Sequence, residues 1–172
     1  VIGLYRKTAP RAKVLELALR LDAQTCDLHE LVHEDPHAIA SVLKLFLLEL
    51  PEPLLTWRLY PDLIEVMAAH SPQAPAATAC ALRQVLAQLP PGNAATFRFV
   101  MDHFAAICSE SDHNMMISSN MAIIFGPALL RAQEEVWHRT AGAAPAASMI
   151  EHLRHQHAIV HFVLQHMDEV FG

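Results

Sequence analysis

Apolar residues recur at helical spacing along almost the whole chain, and the strict alternation of a half-buried strand is missing, so the pattern predicts an all-α protein. A first helix is expected from Pro10 to about Leu21. Thr8 or Ala9 would cap it, Pro10 would sit in its first turn, and Val14, Leu17, Ala18 and Leu21 would share one face. The best-defined helix spans about Pro36 to Leu50. Ile39, Val42, Leu43, Phe46, Leu47 and Leu50 follow its i, i+3, i+4, i+7 repeat, and the prolines at 51 and 53 stop it. Further helices are expected near Trp57 to Ala69, Ala76 to Leu89, Ala94 to Ser109, Ser118 to Phe125 and Met149 to Val170. Pro-, Gly- and Ala-containing breaks at His70 to Pro75, Pro90 to Asn93 and Ala141 to Pro145 read as loops, not as domain boundaries.

Two local patterns stand out. On the second helix Lys44 points away from the predicted apolar face and shares its side with His37, Ser41 and Leu48, which makes this face solvent-facing or partner-facing. From pattern alone, Lys44 and Leu48 read more readily as ordinary surface residues than as a contact site. In NMMISSNMAIIFGPALL, residues 114 to 130, Ser118 is expected to cap a short helix that Gly126 and Pro127 end. Asn120 lies there among Met121, Ile123 and Ile124 and needs hydrogen-bond partners. Such an amide either ties a loop to the core or contacts a ligand, and spacing does not separate the two.

The chain has 172 residues, about one domain, with 53% hydrophobic and 17% charged residues, so a single packed core is expected and disorder is not. A net charge of -6 argues against a general nucleic-acid binder. Against that background Arg6, Lys7, Arg11 and Lys13 form an acid-free basic stretch suited to an anionic partner. Three cysteines without a CxxC pair suit free thiols in the cytosol, and no apolar run is long enough for a membrane span.

Motifs for self-contained chemistry are missing. There is no GxxxxGK[ST] phosphate cradle and no GxSxG elbow. His157 and His161 stand one helical turn apart, but Ala158 occupies the place of the Glu in HExxH, so a solvated helix face is a better reading than a metal site.

GLYRK at 3 to 7, VLKLFLLELPEPLL at 42 to 55 and NMMISSNMAIIFGPALLR at 114 to 131 resemble, in order and separation, the three signature blocks of the RhoGAP domain family. The similarity continues through LPPGNAATFRFVMDHF at 89 to 104 and the final MDEVF, so it covers essentially the whole chain. It implies an all-helical RhoGAP-type bundle that binds GTP-loaded Rho-, Rac- or Cdc42-type GTPases and speeds their hydrolysis of GTP. Such a domain is an activator in the cytoplasm, with membrane recruitment left to other domains of a longer protein. It has no cofactor or nucleotide site of its own, because the partner carries GTP and Mg²⁺. By the same resemblance Arg6 matches the arginine finger, while Lys44 and Asn120 match residues that support the finger loop and contact the GTPase switch regions. Lys7 and Leu48 fall beside them. Family members carry helical sequence before the first block, so the expectation is that this N-terminal part of the domain is missing from residues 1–172.

Three positions depart from the family pattern. Leu48 stands where Arg is usual, Thr8-Ala9-Pro10 where Ser-Gly is frequent, and Met115 where Lys commonly follows Asn114. Some family members without the Arg, such as the RhoGAP-like domain of phosphoinositide kinase regulatory subunits, are regarded as binders more than activators. Leu48 therefore keeps a second reading open, a catalytically weak GTPase-binding or scaffold module. A helical adaptor using the Lys44 and Leu48 face is a third.

Overall fold

The computed structural model describes residues 1–27, 29–133 and 145–172, and among these the regular structure is entirely helical. In chain order the helices are α1 (Arg11–Asp22), a 3-10 turn (Glu30–His33), α2 (Pro36–Glu49), α3 (Tyr60–Ala68), α4 (Pro75–Leu86), α5 (Pro91–Ser109), α6 (Ser111–Asn114), α7 (Ser118–Leu129), α8 (Pro145–Gln165) and α9 (Met167–Phe171). The predicted loop at 141–145 falls outside the described residues except for Pro145, which opens α8.

The apolar helix α7 is central and packs against α2, α5 and α8, while α8 also meets α3 and α9. Met121, Phe125, Ala128 and Leu129 of α7 join Phe97, Met101 and Phe104 of α5 and Ile159, Val160 and Val163 of α8 in one core. A smaller cluster of Ala9, Val14, Leu17 and Ala38 fastens α1 to α2. Around it Lys13 and Arg20 of α1 grip Glu34 at 2.9 and 2.8 Å and hold its carboxyl below the ordinary glutamate pKa.

Four expectations need correction. Gly126 and Pro127 do not end α7, which runs on to Leu129 with Pro127 inside it. Pro127 removes only one intrahelical donor, the one that the Ile123 carbonyl would take, and Ile123 lies on an exposed part of the helix where water can replace it. Ser118 is the first helical residue and not the cap, which is Ile117 without a side-chain bond. Met149 to Val170 is not one helix, because the backbone turns at His166 (φ -129°, ψ 39°), which lets Phe171 reach Phe97 and lie under the Arg98 guanidinium. Pro10 is the N-cap of α1 and not part of its first turn.

Gly126 serves the crossing of α7 and α8. A Cβ there would stand 3.0 Å from the His157 ring and 3.1 Å from the Gln156 backbone, and backbone cannot move aside cheaply. Gly126→Ala is therefore expected to destabilise the fold by about 1–2 kcal/mol in urea unfolding, overpacking outweighing the better helix propensity of Ala. A stabilised variant would show that the crossing is loose.

The second helix departs from its predicted single stripe. At about 100° per residue, Ala40, Leu43, Leu47 and Leu50 form one arc into the main core, and Ala38, Ile39, Val42 and Leu45 form another onto α1. Phe46 belongs to neither and is 56% exposed, lining an open apolar groove of about 510 Å³ with Ala18, Leu21 and Leu50. On the opposite side, the strip carrying Ser41, Lys44 and Leu48 falls between the two arcs and faces the loop before α1.

Candidate functional site

The loop at residues 3–9 is built around an unusual backbone. Gly3 has φ +73°, where a side chain would be strained, and its carbonyl accepts the N–H groups of Arg6 (3.0 Å) and Lys7 (2.9 Å) in a tight turn. Tyr5 also has a positive φ, 68°, costly for an aromatic residue. Its ring is only 6% exposed and meets Phe125 at 4.9 Å and Phe104 at 5.9 Å, both edge-on. Burial of that ring offsets the backbone strain and pushes the Tyr5 hydroxyl pKa up to about 12. The hydroxyl shares a 2.8 Å hydrogen bond with His103 Nε2 of α5.

A second anchor comes from the end of α6. The Gly3 N–H donates to the Asn114 carbonyl at 2.7 Å, and the buried Asn114 side chain donates to the Ile107 carbonyl (2.7 Å) and accepts the Met116 N–H (2.8 Å). One residue thus joins the loop, α5 and the entry to α7. The turn that makes this possible is closed by Met115 in the left-handed region, φ 61°.

Between these anchors Arg6 and Lys7 are exposed, and neither forms an ion pair among the described residues. Glu16, the nearest acid in sequence, pairs with Lys13 instead, at 3.9 Å. The Arg6 guanidinium is folded back over Gly3, with Nε and Nη2 each 3.5 Å from where a Cβ would stand. A guanidinium with no ion pair among the described residues, on a loop pinned from both sides, can be offered to an anion outside the chain.

Lys44 is not a freely solvated lysine. It is half-buried in a groove of about 310 Å³ whose walls include Tyr5, Thr8, Leu15, Ser41 and Leu48. Leu48 is exposed, and its carbonyl accepts from Arg131 Nη1 at 3.2 Å, while Nη2 of the same guanidinium bonds the Leu50 carbonyl. Arg131 so caps the end of α2 and ties it to the segment after α7. Asn120 is half-buried, and its amide makes one long bond, 3.4 Å, to the Met115 carbonyl. The structure therefore puts Lys44 and Leu48 in a groove bordered, through Tyr5 and Thr8, by the loop that carries Arg6 and Lys7, and sets Asn120 under the turn that holds Asn114.

Sequence reasoning missed Asn114, His103 and Arg131 as members of this region. Asn114 opens the block at 114 to 131, but its distinguishing signal, a buried amide with two backbone partners, exists only in three dimensions. Among the described residues no group of three or more His, Cys, Asp or Glu could hold a metal ion, and no helix is long and apolar enough to cross a membrane. His157 packs instead against Gly126.

Comparison with known proteins places this arrangement. Residues 1–134 match the family model of the RhoGAP domain. Human Rho GTPase-activating protein 17 is 36% identical over 169 residues, which is 98% of this chain and 18% of that protein. The chain thus spans less than a fifth of that relative's length. Among solved structures, human Rho GTPase activating protein 15 superposes with a TM-score of 0.84 at 25% identity, over 100% of this chain and 76% of the other. The BH domain of GRAF, the GTPase regulator associated with focal adhesion kinase, shares the fold with a TM-score of 0.81 at 20% identity, over 99% and 84%.

Proposed function

Since the chain belongs to the RhoGAP domain family, we propose that it accelerates GTP hydrolysis by a Rho-family small GTPase, lending Arg6 to the partner's active site in trans. The observation that carries this reading is the state of Arg6: exposed, without an ion pair among the described residues, and one residue beyond a strained, fully packed Tyr5. As GTP is cleaved, negative charge builds on the transferring phosphoryl group and the leaving oxygen, and a planar, permanently charged guanidinium can bind two oxygens at once. The nucleotide and its Mg²⁺ belong to the partner in this reading, and the chain is an activator with no nucleotide site of its own. Lys44 and Lys7 supply positive charge around the finger, and Asn120 supports the Met115 turn and lies at the rim of the contact.

The test is single-turnover hydrolysis by GTP-loaded Rho-, Rac- and Cdc42-type proteins over a range of domain concentrations. Acceleration of at least one of them is expected, and none at saturating domain would sink the proposal. Leu48 tunes the same surface. Leu48→Arg adds a cation beside Lys44 on an exposed rim, so it is expected to lower the half-saturating concentration about fivefold at low salt and by less at high salt. A gain in maximal rate from near zero would instead favour the reading of the natural chain as a weak binder.

A further inference from the structure

Tyr5 and His103 are 98 positions apart, yet their side chains share a 2.8 Å hydrogen bond at the edge of the loop that carries Arg6. The rings also meet edge to face, with centroids 6.0 Å apart. No other side chain of residues 3–9 forms a hydrogen bond to a distant element among the described residues. Phe104 and Phe125 press on the Tyr5 ring but, being apolar, do not fix how deep it sits. The hydroxyl does, because only one depth places it on Nε2 of His103.

We propose that His103 is a positioning residue for the arginine finger, acting through Tyr5. This inference rests on the GTPase-activating reading of Arg6. Tyr5 is held at φ 68°, so Arg6 starts from a backbone direction that an unstrained Tyr5 would not give. Losing the bond at the far end of the ring lets the ring lift and the backbone relax. Arg6 then samples a wider volume, and an error near 1 Å at a catalytic group costs up to about a hundredfold in rate. His103 sits on the exposed side of α5, beside the buried Phe104, with its ring turned onto Tyr5. Its contacts with Tyr5 and Phe104 partly desolvate the ring and lower its pKa, which keeps it neutral and able to share the Tyr5 proton near pH 7.

Three variants test this: His103→Leu, Tyr5→Phe and the double variant, with His103→Gln, whose amide reaches the same place as Nε2, as the rescue. In single-turnover hydrolysis each single variant is expected to lower the maximal rate about tenfold while the half-saturating concentration changes less than twofold. The double variant should match either single one, and His103→Gln should recover most of the rate. A loss confined to the half-saturating concentration, additive losses, or an unchanged His103→Leu rate overturns the proposal. Amide hydrogen exchange of the chain alone gives a readout that needs no GTPase. Protection of the Arg6 and Lys7 amides, both bonded to the Gly3 carbonyl, should fall about tenfold in His103→Leu and return in His103→Gln. Unchanged protection overturns the positioning role even where the wild-type domain activates no GTPase, which separates failure of this inference from failure of the functional reading.

Discussion

Arg6→Ala is expected to lower the saturated rate of GTP hydrolysis by the partner by about 10³–10⁵-fold, or about 4–7 kcal/mol of barrier. It should leave the fold intact, because Arg6 is exposed and contributes no ion pair among the described residues, so its unfolding free energy should stay within about 0.5 kcal/mol of wild type. Affinity for the GTP-bound partner should fall little in the ground state, since the charge it complements develops mainly during cleavage. Arg6→Lys should recover only a small part of the rate, an ammonium lacking the fork that meets two oxygens. Stopped-flow hydrolysis beside a binding titration separates rate from affinity. An Arg6→Ala domain that still accelerates fully would remove the finger from this mechanism and return Arg6 to the status of a surface residue. In the free domain the guanidinium rests over Gly3, so in the proposed mechanism it would leave that position by a change of side-chain rotamer above the closed turn.

Asn114→Ala should have the second largest effect, and on two readouts at once. Removing the amide leaves the buried Ile107 carbonyl and Met116 N–H without their side-chain partner, an expected cost of about 2–4 kcal/mol in urea unfolding. The Gly3 N–H bonds the Asn114 main chain and not its side chain, so it survives the substitution in principle. The turn that presents that carbonyl, however, is shaped by the amide and by the left-handed Met115. Activation should therefore fall by about tenfold or more under conditions where the variant is still folded. Asn114→Asp keeps the Met116 bond but loses the donor to Ile107, and should fall between wild type and Ala. A variant with native stability and native activation would show that the loop is held by Tyr5 alone.

Much of the fold was legible because its signals are local. Helical periodicity named α1 and α2 to within a residue or two, and the prolines after Leu50 stopped α2 where expected. The failures share one cause. Gly126-Pro127 carries the composition of a helix end, but the Gly126 site is set by how closely α8 crosses, and the exposed Ile123 carbonyl tolerates the lost donor. On α2 the hydropathy repeat predicted one stripe through Phe46, whereas two neighbours divide the helix into two buried arcs.

For the site, order and spacing of three short blocks make Arg6, Lys44 and Asn120 the candidates, since resemblance is carried by residue identity along the chain. Nothing along the chain reveals that Tyr5 adopts φ 68°, that His103 meets its hydroxyl, or that Arg131 closes the end of α2 from 81 positions away. Helix formation and the charge of a guanidinium are properties of neighbouring residues and can be read from sequence. The direction in which that guanidinium is offered depends on hydrogen bonds and ring contacts between distant segments, and those come into being only when the helices pack.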